Sequence, residues 1–243
     1  MTGSILEVEA QRAQWERRRH HEGLAGSTGD RFALGGLGAH AGAEARLLIL
    51  PADPDGQSIH LDSDTLAWVR QERDVPKEGE PFPRGHRARA VTDAVVLYDQ
   101  YRDDGPWERY LAVHCHGGVE AGLGRAAYDL RDIRVFGLTP IVGMVWVAAA
   151  VQQKAIEKWD LRGPFEATLA LRETRGTTLG HFANGWAEPG QGLFDFPYCL
   201  DDHVLLRVEI EQSIDPEQFA TIMGDRIELA FGTTNRRHLP RQR

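Results

Sequence analysis

The tripeptide His114-Cys115-His116 is the sharpest constellation of potential metal ligands in the sequence. Side chains alternate along a strand, so His114 and His116 would point to one face and Cys115 to the other, and the two imidazoles could share a metal. A third ligand would have to come from His181, Cys199 or His203, and no spacing in the sequence brings any of them to the pair. The plainer reading rests on the next two residues. Gly117-Gly118 permits the positive φ of a tight hairpin, which leaves His116 exposed at the turn and lets Cys115 pack inward as a small apolar side chain.

Other chemical patterns are incomplete. Cys199 lies near Asp201, Asp202 and His203, but sequence neighbours rarely face one another as a nucleophile and base must. GxSxG is absent. Gly122 and Gly124 follow an apolar run and precede Arg125, so backbone N–H groups there could meet an anion; a full GxGxxG and the lysine of a P-loop are missing, and a tight turn accounts for the glycines. GTTLGHFANGW, residues 176–186, has the mix of a pocket-lining loop, with His181, Asn184 and Trp186 as its contacts. The acid pairs Asp103/Asp104 and Asp201/Asp202 read as solvated. The candidate ligand contacts are therefore His114, His116, Arg125, His181, Asn184 and Trp186. No catalytic residue, metal or cofactor is assigned.

Composition narrows the partners. The chain has 243 residues, 42% of them apolar and 26% charged, with a formal net charge of −8, which argues against a protein-wide nucleic-acid footprint. The closing NRRHLPRQR carries four arginines and no acid; Arg236, Arg237, Arg241 and Arg243 could neutralise phosphates there. Two cysteines match no disulfide framework, and the N-terminus lacks the basic and apolar regions of a signal peptide, so a reduced, cytoplasmic chain without a membrane anchor is expected.

The elements that must position these residues are organised around Thr139–Trp159. Thr139 and Pro140 form a helix start, and Ile141–Val151 is apolar almost all round, so this helix should be the spine of the core, emerging near Gln152. Its apolar run is too short to span a membrane. A charged helix over residues 1–22, with Ser4 and Glu7 as a capping box, is followed by a Gly/Ala-rich linker over 23–45. A single domain then covers 46–234, with a basic tail over 235–243. Within it, strands are predicted at Leu47–Leu50, Ser58–Leu61, Ala94–Tyr98, Arg109–His114, Val119–Leu123, Ile133–Phe136, Phe165–Leu171 and His203–Ile210. Thr178–Trp186 reads as strand or short helix, and Asp74–Arg89 as a surface loop. A short helix follows Ser63 as its cap. The last helix has Asp215 as cap, Pro216 at its first position and Gly232 as its stop. Helices separated by antiparallel pairs give an α+β fold: a mainly antiparallel sheet packed on the long buried helix and the C-terminal helix. Any site is expected where the glycine-rich stretches Gly117–Gly124 and Gly176–Gly185 approach the same end of the long helix.

YLAVHCHGGVEAGLG, GPFEATLALRETRGTTLGHFANGWAEPG and GDRIELAFGTTNRRHL resemble a region of actinobacterial proteins that follows an AlbA-type, Schlafen-like DNA-binding domain. The resemblance covers residues 45–239 and carries no catalytic or ligand residues with it. The acidic, lysine-containing opening motif and the Ala/Asn/Gly-rich segment of the DNA-binding domain itself do not occur here. It implies a companion region of a nucleic-acid-associated system. The function expected from these features is a non-enzymatic accessory, sensing or protein-interaction module, acting on a protein partner or as a homodimer, with nucleic-acid contact through the basic tail. The alternative is a metal-dependent hydrolase or nuclease using His114 and His116.

Overall fold

The computed structural model describes residues 44–53, 57–72, 87–91, 93–100, 107–130, 133–180 and 198–232, all within one structural unit, His40–Arg243. The expected N-terminal helix, most of the linker, His181, Asn184, Trp186 and the arginine tail lie outside these residues. In chain order the elements are β1 (Ala45–Pro51), α1 (Ser63–Glu72), β2 (Arg87–Ala90), β3 (Ala94–Gln100), β4 (Trp107–His114), β5 (Val119–Leu123), β6 (Ala127–Leu130), β7 (Ile133–Gly137), α2 (Leu138–Trp159), β8 (Phe165–Arg172), β9 (Thr178–Gly180), β10 (His203–Ile210) and α3 (Pro216–Ala230). Seven strands form one antiparallel sheet in the order β10-β8-β1-β5-β4-β3-β2, and β6-β7-β9 form a second, in which β7 and β9 run parallel. The fold is α+β.

Alternation along the strands sorts the large sheet into two faces. Leu47 and Ile49, Val95 and Leu97, Leu111 and Val113, Val119 and Ala121, and Ala167 and Leu169 join the core around α2. Arg46, Tyr110, His114 and Glu120 have the opposite parity and project from the other face.

The long helix is the spine its apolar run predicts, with two corrections. It starts at Leu138, one residue early, and its N-cap is Gly137, which supplies no side-chain bond. Thr139 therefore lies inside the first turn, and Pro140 at the third position forfeits only an N–H that has no intrahelical acceptor. The helix also stays buried past Gln152, through Ala155 and Ile156. Gln152 is 0% exposed; its Nε2 donates to the Gly117 carbonyl at 2.9 Å, which offsets part of the cost of burying the amide, while its Oε1 has no hydrogen-bond partner among the described residues. Among the described residues, no helix is long and apolar enough to cross a membrane.

The turn chemistry is mostly as expected. Gly117 has φ 82°, with His114 N–H donating to Gly118 O and Gly117 N–H to His114 O. Asp215 Oδ1 accepts from Glu217 and Gln218 N–H at the start of α3, and Gly232 has φ 73° just past its end. The cap of α1 is Asp62 rather than Ser63, because Asp62 Oδ1 accepts from Asp64 and Thr65 N–H. Residues 58–61 form no strand, although Ile59 N–H donates to Cys115 O. The expected loop before Arg89 ends as edge strand β2. Thr178–Gly180 resolves as strand, and β6 adds a short strand before β7.

Candidate functional site

Glu120 organises the polar side of the large sheet. It sits opposite Ala112 in the β4–β5 register, so Tyr110 and His114 flank it diagonally. Tyr110 Oη donates to Glu120 Oε1 at 2.6 Å, and His114 Nε2 lies 3.2 Å from Oε2. With both carboxylate oxygens accepting, the network places the His114 proton on Nε2.

Gly122 makes this geometry possible. It stands opposite both Tyr110 and Arg46, and a Cβ there would come within 2.0 Å of Tyr110 Cε1. The ring thus lies over bare backbone. Gly122 is a strand residue that clears space for Tyr110, and the expectation of a tight turn at this glycine is corrected. Arg46 completes the group, 3.7 Å from Glu44 Oε2, which Arg172 Nη1 also approaches at 3.5 Å. Burial, then the negative charge of Glu120, pushes the Tyr110 hydroxyl well above the ordinary tyrosine range, so the phenol stays a neutral donor. Tyr110, opposed by desolvation and helped by Glu120 and Glu44, raises Arg46 further. Each charge here has a stated partner.

The histidine pair is now placed. His114 and His116 stack with ring centroids 5.0 Å apart and planes inclined by 5°. Nitrogen lone pairs lie in the ring plane, and two nearly parallel planes share no point at which one ion could meet both. His116 Nδ1 also accepts from Gly118 N–H at 3.3 Å. His116 and Cys115 are both half-buried, which corrects the expectation of an exposed histidine beside a core cysteine. The hairpin closes after His114, so Cys115 is a turn residue rather than a core strand residue.

The other candidates do not converge on the pair. His203 is exposed on β10, opposite Arg172, and buried Cys199 donates its backbone N–H to Thr177 O. Both lie near the Leu171 end of the sheet, whereas His114 lies near the Ile49 end. From β10 to β4 is four strand spacings, or about 19 Å, before the displacement along the strands is added. Arg125 is exposed just beyond the Leu123 end of β5. Among the described residues, no group of three or more His, Cys, Asp or Glu could hold a metal ion. The two glycine stretches also part company. Gly117 bonds to Gln152, while Gly180 pairs with Gly137 at the helix N-terminus, about 22 Å away along α2.

A second region was missed by motif reading. Among the described residues β10 ends the sheet, and Tyr198 (54% exposed), Leu200 (80%) and Leu205 (54%) lie on it or on its approach, with Leu229 (67%) on the adjoining α3. These are four of the five large apolar side chains exposed among the described residues. The opposite edge, β2, has only four residues, and Arg89 lies 4.8 Å over the Trp107 ring beside it. Short, charged edges resist pairing; an eight-residue edge flanked by leucines invites it. The alternating His203–Ile210 pattern was the available signal, but sequence does not say which strand is outermost.

In comparisons with family models, curated proteins and solved structures, nothing matches the chain.

Proposed function

We propose that the chain is a non-enzymatic accessory or sensing module that works by protein contact, carrying its partner along β10, the last strand of the large sheet among the described residues. The resemblance noted above would place it in a nucleic-acid-associated system. The observation that carries this reading is the gathering of Tyr198, Leu200, Leu205 and Leu229 around one sheet edge. Exposed apolar groups flanking one strand mark surfaces that another molecule covers, and an edge strand adds backbone groups for strand addition.

Photo-crosslinking tests it. A photoreactive amino acid at Leu205 or Leu229 should yield discrete protein adducts in cells expressing the full chain, with little adduct from the same group at exposed Tyr128. Equal or absent adducts at the three positions would reject the edge as the contact surface.

A further inference from the structure

We infer that Trp68 and Trp159 form a binding corner for a betaine, a small zwitterion that joins a quaternary ammonium to a carboxylate, with Lys158 receiving the carboxylate. The site lies on the helix layer and is independent of the contact reading above.

The corner is built where α1 meets the C-terminal end of α2. Trp68 and Trp159 are half-buried and pack against the core, and they meet edge to face, with ring centroids 4.5 Å apart and planes inclined by 72°. Lys158 shows where a cation meets both rings, since its Nζ lies 5.3 Å from each centroid. An indole quadrupole attracts cations within about 6 Å, so the chain's own ammonium marks a place where positive charge is favoured.

The charges around the corner are already distributed. Trp68 and Glu72 are one turn apart on α1, as Lys154 and Lys158 are on α2, so the two helices face each other in two rungs. Lys154 pairs with Glu72 in one rung, and Lys158 has the rings in the other. Glu157 accepts from Gln153 Nε2 at 2.8 Å. Glu72 and Glu157 are therefore engaged elsewhere, and Lys158 has ring faces in place of an anion.

Hydration and charge then select the ligand. Lys158 is exposed, so its primary ammonium keeps much of its water, and seating it costs rotamer freedom. A quaternary ammonium is weakly hydrated and offers methyl groups to both rings, so it displaces the lysine. A plain monocation would then sit beside the Lys158 ammonium, like charge against like. A betaine carries its own anion, and the released Lys158 pairs with it in a charge-assisted contact.

Calorimetric and tryptophan-fluorescence titrations of the full chain with glycine betaine, choline and the uncharged tert-butyl isostere of choline provide the test. Saturable binding of glycine betaine at millimolar concentration is expected, with choline about threefold weaker or more and the isostere weaker still. Lys158→Ala should split the two charged ligands. Glycine betaine should weaken by about threefold or more, because its carboxylate loses its partner, while choline tightens, because its competitor is gone. Trp68→Leu and Trp159→Leu should each abolish binding of both. Lys158 is exposed, so its variant decides the matter even where a tryptophan variant fails to fold. No saturable binding of glycine betaine, an equal response to the uncharged isostere, or a Lys158→Ala chain that shifts both charged ligands in the same direction would each overturn the site.

Discussion

The large sheet reverses the usual placement of polar and apolar groups at two points. In its middle, Glu120, Tyr110, His114 and Arg46 put ionisable groups on central strands; at one edge, Leu200, Leu205 and Leu229 leave aliphatic surface in water. The central group is internally paired: Glu120 faces Tyr110 and His114 on the neighbouring strand, and Arg46 lies beside Glu44 at the start of its own strand. The edge group is open. Buried charge is tolerated where geometry satisfies it, and such a group specifies an arrangement more than it stabilises one. Exposed aliphatics have no comparable internal account, which is why the proposed contact surface is the edge and not the centre.

Substitutions should separate the two regions sharply. Glu120→Ala would leave the buried Tyr110 hydroxyl and His114 Nε2 without the carboxylate they face, and we expect a loss of about 2–5 kcal/mol in urea denaturation. A loss under about 1 kcal/mol would mean the network is not closed. Gly122→Ala should cost about 1–3 kcal/mol by displacing the Tyr110 ring, and the cost should shrink in a Tyr110→Ala background if the ring is the obstacle. Gln152→Ala should cost about 1–3 kcal/mol by leaving the Gly117 carbonyl buried and unsatisfied. At the edge, Leu205→Ser and Leu229→Ser should each change stability by less than about 0.5 kcal/mol, while reducing association. An edge substitution as damaging as Glu120→Ala would erase the contrast.

Titration sharpens the same contrast. The folded-state pKa of Tyr110 is raised above its ordinary value of 10.0, so its contribution is fully present below that pH. Above it the unfolded chain ionises first, and stability should fall as pH rises toward the folded-state value. Tyr110→Phe should flatten this alkaline slope in denaturation midpoints measured between about pH 9 and 11, whereas Leu205→Ser should leave it unchanged.

Much of this fold was legible because local chemistry decides it. Asp215 and Pro216 announce α3, Gly117 the hairpin, and Ile141–Val151 the buried helix, each through capping, turn geometry or periodicity. The site was far less legible. His114 and His116 were visible as neighbours, but Glu120, Tyr110 and Arg46 come from three strands whose order and register only the folded chain reveals. One clue was available. A glutamate inside Val119–Leu123, between two core positions, must face away from the core and needs a partner there. The two glycine stretches misled for a related reason, since composition marks loops without saying which end of a helix they reach.

The central network also bears on how the sheet assembles. β1 pairs with β5 and β8, which are far from it in sequence, so its alignment must be found by slow, non-local search. Side chains alternate with a period of two, so slipping β5 by one residue would drive Glu120 into the aliphatic layer under α2 and turn Val119 and Ala121 toward Tyr110 and Arg46. Such an alignment is penalised on both faces at once. The buried carboxylate therefore acts as a register mark, since only the native alignment keeps it out of the aliphatic layer.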